Sequence, residues 1–430
     1  MSAIRSLRSV VQRNLFKTCS RAYCASPKIG LAASASGESS RFYKVSGDNE
    51  PIMPVTSDGK IQGKALDHSL DLTKVRPGDV IEVPYEMTVS SSLRDFFHSA
   101  FYTHDRINTS TPFSRSLGLQ DQVVPFSLML FLAEAMSHAD QAKIQVGFSR
   151  ARYHWPAFPG DTFKKRFIIQ SLRNTSSGNF SIIDIHCEIR NQRNNVVFTC
   201  EKTMMFPFTI PGSTVTVPTQ SLEADVNKQD FLEHLVKRAE TLEGLGSQTL
   251  TSLRPGNLIL HTLTRPLSQT HTMQLATLGR LTHERHFNTR LYNRDELVIP
   301  GGLVVALTTS LASRDLHEVL YEELLECSFP NETSPGEAVG ALSYIQSREE
   351  HMSGDIEAIE LRTIGVKNMD VARVLANKDL PLSLFEGPIL KPKELEALLK
   401  KECPELCNHV ICIAQRKIYR QAPKQVPFLL

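Results

Sequence analysis

Thr103-His104-Asp105-Arg106-Ile107-Asn108-Thr109 is answered later in the chain by Thr282-His283-Glu284-Arg285-His286-Phe287-Asn288-Thr289, with one residue inserted. Outward from this pair the echo continues. Arg76-Pro77-Gly78-Asp79 matches Arg254-Pro255-Gly256-Asn257, Val123-Val124-Pro125 matches Val298-Ile299-Pro300, and Pro159-Gly160-Asp161 matches Pro335-Gly336-Glu337, all at offsets of 175 to 180 residues. Segments recurring in one order at nearly one spacing mark an internal repeat, which decides the architecture before local structure is assigned. Val196 to Phe206 resembles Val410 to Arg420 at an offset of 214. The second copy therefore carries an insertion of about 35 residues, placed at 380–407 and containing a Pro-bounded helix over Lys393 to Lys401.

Within each copy an amphipathic segment and a loop precede an apolar helix, expected from about Pro125 to Ala139 and from Gly301 to Ala312. Alternating strands follow at Phe163 to Ser171, Ser181 to Asn191 and Val196 to Phe206, separated by Asn- and Ser-rich turns. A helix wrapped by an antiparallel sheet is a hotdog unit, and two in tandem cover the strand edges and helix flank that one would expose. The fold class is α+β, a double hotdog. The expected organisation is a leader over 1–28, a linker over 29–50, a first unit over 51–210, a connection over 211–250 and a second unit over 251–430.

Composition narrows the function. At 430 residues, 41% hydrophobic and 22% charged, the chain is long enough for more than one core and too apolar for wholesale disorder. It has no stretch of about 18 apolar residues that would span a bilayer. Forty-eight Lys and Arg face 46 Asp and Glu, a balance that does not point to nucleic acid outside a ribonucleoprotein assembly. Six of the bases, Arg5, Arg8, Arg13, Lys17, Arg21 and Lys28, precede the first acid, Glu38, with Ile4, Leu7, Val11 and Leu15 along one helical face. This is the pattern of a mitochondrial presequence, with the matrix as the expected location. Eight Cys in such a chain form no disulfide framework. Cys403, Cys407, His409 and Cys412 lack a standard zinc spacing, so no metal is expected.

On these residues the chain resembles the MaoC-like dehydratase and hydratase family, and within it the tandem type of the mesaconyl-CoA or β-methylmalyl-CoA hydratases. The resemblance is carried by His286-Phe287-Asn288, by Ile299-Pro300-Gly301-Gly302-Leu303 opening the second apolar helix, and by Arg152 followed by Pro156 and Pro159-Gly160-Asp161-Thr162. It implies reversible hydration of a double bond conjugated to a CoA thioester, with CoA part of the substrate and no other cofactor. The family motif carries an Asp and, five residues on, a His. Here the first copy keeps Asp105 but has Ser110 at the His position, and the second keeps His286 but has Leu281 at the Asp position.

Water addition to an enoyl thioester needs a group that activates water at Cβ, a proton for Cα and donors for the enolate oxygen. His286 is the leading acid/base candidate, with Glu284 or His283 as the second group and Asn288 orienting water or thioester. Gly301 and Gly302, at a helix start, are the expected oxyanion donors, close helix packing being the rival explanation for two glycines. Arg152 and Arg150 are candidate contacts for a CoA phosphate or substrate carboxylate. Asp105 and His104 form a candidate substrate contact in the first unit, where Phe126 would crowd a thioester, or else serve the loop structurally. Three functions follow: an enoyl-thioester hydratase, a catalytically silent scaffold in a ribosome-associated or fatty-acid-synthesis complex, and a thioesterase. CoA and acyl carrier protein stay open as thioester carriers, and monomer and homodimer as assembly states.

Overall fold

The computed structural model describes residues 56–57, 60–61, 74–135, 142–210, 222–238, 242, 252–351 and 355–423. The presequence and linker expected over 1–50 lie outside the described residues, as does most of the connection beyond 222–238. The described residues belong to one compact unit, Arg41–Leu430. Eleven strands of this unit form a single sheet. They are β1 (Val80–Thr88), β2 (Ile144–Tyr153), β3 (Thr162–Asn174), β4 (Ser181–Arg190), β5 (Val196–Phe206), β6 (Leu258–Leu260), β7 (Arg265–Pro266), β8 (Val319–Ser328), β9 (Ala338–His351), β10 (Ile356–Lys367) and β11 (Val410–Gln421).

The order β1-β3-β4-β5-β2-β8-β11-β10-β9-β6, with β7 also pairing β9, reads alike from both ends. The internal repeat is thus a structural repeat, joined at the antiparallel β2–β8 pair, where Arg152 faces Glu323 and Phe148 faces Cys327. The sheet's outer edges are unattractive for further pairing: β1 carries Pro84 beside a register shift, and β6 is three residues long.

The longer helices among the described residues are α1 (Ser91–Ala100), α2 (Phe126–Glu134), α3 (Leu222–Lys237), α4 (Gln269–Leu278), α5 (Gly301–Leu316) and α6 (Pro392–Glu402), of which α2 and α5 fill the interior. In α2 (Phe126–Glu134) every residue except Ser127 is buried, as expected of a segment apolar on all sides. Its partner α5 (Gly301–Leu316) buries most of its length. The first helix stops five residues short of the expected end, because Ala135 turns to extended backbone; the second runs four residues past Ala312 and ends at His317, where φ is +43°.

Both helices end against a buried cation, which satisfies carbonyls that have no partner within the helix. Lys165 donates to the carbonyls of Leu132 (3.1 Å), Ala133 (2.8 Å) and Ala135. Arg420 donates to Leu316 O at 2.6 Å and to Glu357 Oε1 at 2.6 Å, and both members of this ion pair are sealed from solvent. Burial brings Lys165 down to about 7, set against the pull of Cys187.

The connecting region contains α3 (Leu222–Lys237), whose Leu232 and Leu235 are buried and whose His234 bonds Leu117 O at 2.7 Å. In the late insertion, α6 (Pro392–Glu402) turns Leu395 and Leu399 onto Leu342, Ile364, Val366 and Ile413 of its own sheet. That helix spends its apolar face on its own chain rather than presenting it to a partner. Removing one member of a buried ion pair strands the other charge, so Glu357→Ala is expected to cost about 3–5 kcal/mol in denaturant unfolding.

Candidate functional site

The segment around His286 is a single 3-10 turn, Glu284–His286, not the end of a longer helix. With three residues per turn, positions i and i+3 eclipse. His283 and His286 therefore share a side, their ring centroids 5.5 Å apart. Glu284 falls on another side: it is exposed and accepts a bond from Asn288 Nδ2 at 3.2 Å. The structure thus brings His283 and His286 to one cavity and leaves Glu284 and Asn288 off its wall. This corrects the expectation that either of those two acts beside His286.

The protonation of the two imidazoles follows from their partners, since a carbonyl only accepts and a backbone N–H only donates. His283 takes the Arg285 N–H on Nδ1 (3.2 Å) and donates Nε2–H to Ala142 O (2.8 Å), so both its nitrogens are engaged. His286 donates Nδ1–H to Val298 O at 2.9 Å, which leaves Nε2 with its lone pair. Burial lowers its pKa to about 4; the Val298 bond opposes this, and His283 and Arg285 add to it. Near neutral pH the ring is an acceptor, not a cation.

The cavity holds about 110 Å³ and is walled by both units: Leu281, Val298, Ile299, Val304 and Phe329 from the second, Ile144 and Met204 from the first. At its edge Arg285 grips Glu332 with two bonds of 2.6 and 2.8 Å. The cations on this wall are Lys143 and Arg285. Arg150 and Arg152, expected at the substrate, are not on it. Arg150 has φ +48° at a bulge between β2 and β5 and pairs with Glu201, while Arg152 stands opposite Glu323 across the β2–β8 seam.

The start of α5 opens onto the cavity, but its first two amides are occupied. Gly301 N donates to Glu134 Oε1 at 2.9 Å and Gly302 N to Glu134 Oε2 at 2.6 Å. The donors expected to meet an enolate thus hold a carboxylate from the last turn of α2. Packing is the second reason for the glycines, because a Cβ on Gly302 would lie 2.8 Å from both Glu134 Oε2 and the Phe131 Cα. Burial raises the Glu134 pKa; the Gly302 amide, Lys202, the Gly301 amide and Lys165 work against it.

The pseudo-symmetric cavity of the first unit is built from other chemistry. Asp105 lines it together with Asn108, Phe126, Tyr153, Tyr321 and Phe231 of α3. Its Oδ1 accepts from Val319 N (2.7 Å) and its Oδ2 from Ser313 Oγ (3.1 Å), so it ties the units together instead of capping its own loop. Burial, with help from Glu322 and Glu318, lifts its pKa to about 7. His104 stands off that wall, its ring 4.6 Å from Tyr102 and 6.5 Å from His317. Neither residue reaches the His286 cavity.

With the site described, similarity can be weighed. No protein-family model matches the chain. It is 22% identical over 309 residues to the mesaconyl-CoA hydratase of Cereibacter sphaeroides, covering 68% of this chain and 88% of that protein. It is 22% identical over 319 residues to the beta-methylmalyl-CoA dehydratase of Chloroflexus aurantiacus, covering 68% and 87%. A MaoC domain dehydratase structure from Chloroflexus aurantiacus superposes with a TM-score of 0.62 at 18% identity over 84% of this chain and 99% of that one. A Mycobacterium tuberculosis protein described as a double hotdog gives 0.56 at 15% identity over 81% and 96%. The chain has the double hotdog fold.

The residue this site adds to the expected set is Glu134. One signal pointed to it: it is the single charged residue in the run Phe126–Glu134. Adding a methyl where backbone stands in the way costs about 1–3 kcal/mol. Gly302→Ala is expected to lose that much in equilibrium unfolding. Gly301→Ala, whose Cβ would meet the Phe329 ring edge at 3.0 Å, should lose less.

Proposed function

We propose that this protein catalyses the reversible hydration and dehydration of an α,β-unsaturated acyl-CoA in the mitochondrial matrix, in the cavity that contains His286. The observation that carries this reading is the state of that imidazole. Its Nδ1–H is fixed on Val298 O and its Nε2 lone pair meets no donor among the described residues, on the wall of a largely apolar cavity at a helix start. A neutral acceptor held in one tautomer is suited to seating a water molecule against Cβ of an enoyl thioester. The similarity to proteins named mesaconyl-CoA hydratase and beta-methylmalyl-CoA dehydratase supports the same chemistry. CoA enters as part of the substrate, and water addition needs no redox partner. The matrix assignment rests on the acid-free basic leader, residues 1–28.

One observation favours a second reading, the catalytically silent scaffold: the Gly301 and Gly302 amides are filled by Glu134. Turnover separates the two. The purified protein should consume crotonyl-CoA or mesaconyl-CoA, followed as loss of conjugated absorbance, without releasing free thiol. Loss of a positioned acid/base group costs about 10²–10⁴-fold, and His286→Ala should show it in kcat. Glu284→Gln, altering an exposed carboxylate off the cavity wall, should stay within about threefold of wild type. Equal losses in the two variants would restore Glu284 to the site, and a wild-type protein without turnover would leave the scaffold.

A further inference from the structure

We propose that Glu134, delivered from the first unit's buried helix, is the carboxylate that works with His286, replacing the one missing at Leu281. The assignment rests on the hydratase reading above. Glu134 and His286 line the same cavity, as does Leu281. The carboxylate is placed by construction rather than by chance of rotamer. Each of its oxygens takes one amide of α5, and Lys165 clamps the carbonyls of the turn that presents it. A carboxylate offers about four acceptor positions, so two remain after the amides are served.

At the pseudo-symmetric helix contact the fold does without a charge. By the repeat, in which Pro125 matches Pro300, the residue corresponding to Glu134 is Thr309, whose hydroxyl turns back to Ala306 O at 3.5 Å. The helix start facing that position has Phe126 and Ser127 in place of the glycine pair. Glycines and carboxylate thus occur together, and only at the end of the helix pair that faces the His286 cavity. A capping role alone would be met by a neutral side chain, without the expense of burying a charge.

In the hydration direction, the Glu134 carboxylate takes a proton from water as the water oxygen bonds Cβ. The π pair moves onto Cα and the thioester, and Cα then takes the proton from the Glu134 carboxyl. His286 Nε2 accepts a hydrogen bond from the remaining O–H. One water is added, and both side chains return to their starting states. Dehydration runs the same steps backwards.

The titratable groups around this carboxylate are Lys165 and Lys202, with His283, His286, Lys143, Arg285 and Glu332 on the cavity wall. Because burial raises Glu134 above the usual carboxylate value while His286 protonates only at about 4, the higher acidic limb in kcat belongs to Glu134. Activity present above that pKa is lost as the carboxylate is protonated.

The test is steady-state hydration of crotonyl-CoA by the full chain. Glu134→Gln, isosteric and still able to accept from one amide, should lower kcat by about 10²–10⁴-fold with KM within about threefold. A Glu134→Gln variant with wild-type kcat overturns the assignment. So does a wild-type kcat that stays flat from neutral pH down to about 4.5, the ordinary glutamate value above which burial lifts this carboxyl, a result that depends on no variant folding. Wild-type protein that hydrates nothing sinks the hydratase reading itself, and this proposal with it; that outcome is distinct from unchanged turnover in Glu134→Gln.

Discussion

The contact on which this architecture turns is a carboxylate held by two backbone amides. Glu134 ends one buried helix, Gly301 and Gly302 begin the other, and their two hydrogen bonds join elements 167 and 168 residues apart in sequence. A charge taken out of water is costly unless fully hydrogen-bonded, and bonds to an ionised acceptor are about twice as strong as neutral ones. The start of α5 adds the positive end of its dipole. At the other side of the last turn of α2, Lys165 collects the carbonyls left over where the helix stops. The helix end is thus bracketed by a cation on its carbonyls and by amides on its final side chain, which fixes the two units against each other and shapes one wall of the cavity.

The two halves share a plan and differ in their chemistry. The sheet is palindromic and each half has a buried helix. One cavity keeps the imidazoles, His283 and His286, while the other keeps the carboxyl of Asp105. Asp105 is bound to Ser313 and Val319 of the opposite unit, much as Glu134 is bound to Gly301 and Gly302. In both places a carboxyl of the first half accepts hydrogen bonds from the second half. The motif that would unite Asp and His on one loop has been divided, and the seam between the halves is where acids and bases can meet again.

The repeat, the antiparallel strands and the two helix starts were legible in the sequence because each rests on local pattern: Pro before an apolar run, alternation, turns rich in Asn and Ser. What stayed hidden depends on geometry that local pattern does not encode. Glu284 sits two residues before His286, and only the 3-10 winding shows that the residue sharing its side is His283. Arg150 and Arg152 look like one strand face, yet the register against β5 slips between Ser149 and Arg152, and Arg150 takes a left-handed backbone. Two glycines at a helix start suggest an anion, and the anion is one the chain itself supplies from far away.

That last point changes how the helix start can act. With both amides given to Glu134, a thioester oxygen cannot also receive them directly. The positive end of α5 still lies beside any negative charge that develops in the cavity, and its nearest effect falls on the carboxyl it holds. Two influences compete there: burial raises the proton affinity of Glu134, and the amides with Lys202 and Lys165 lower it. Proton transfer to and from carbon is fastest when the exchanging group sits near the working pH. Enclosing a carboxylate, rather than leaving it in solvent, while tethering it by only two of its acceptor positions is an arrangement that moves its proton affinity in that direction.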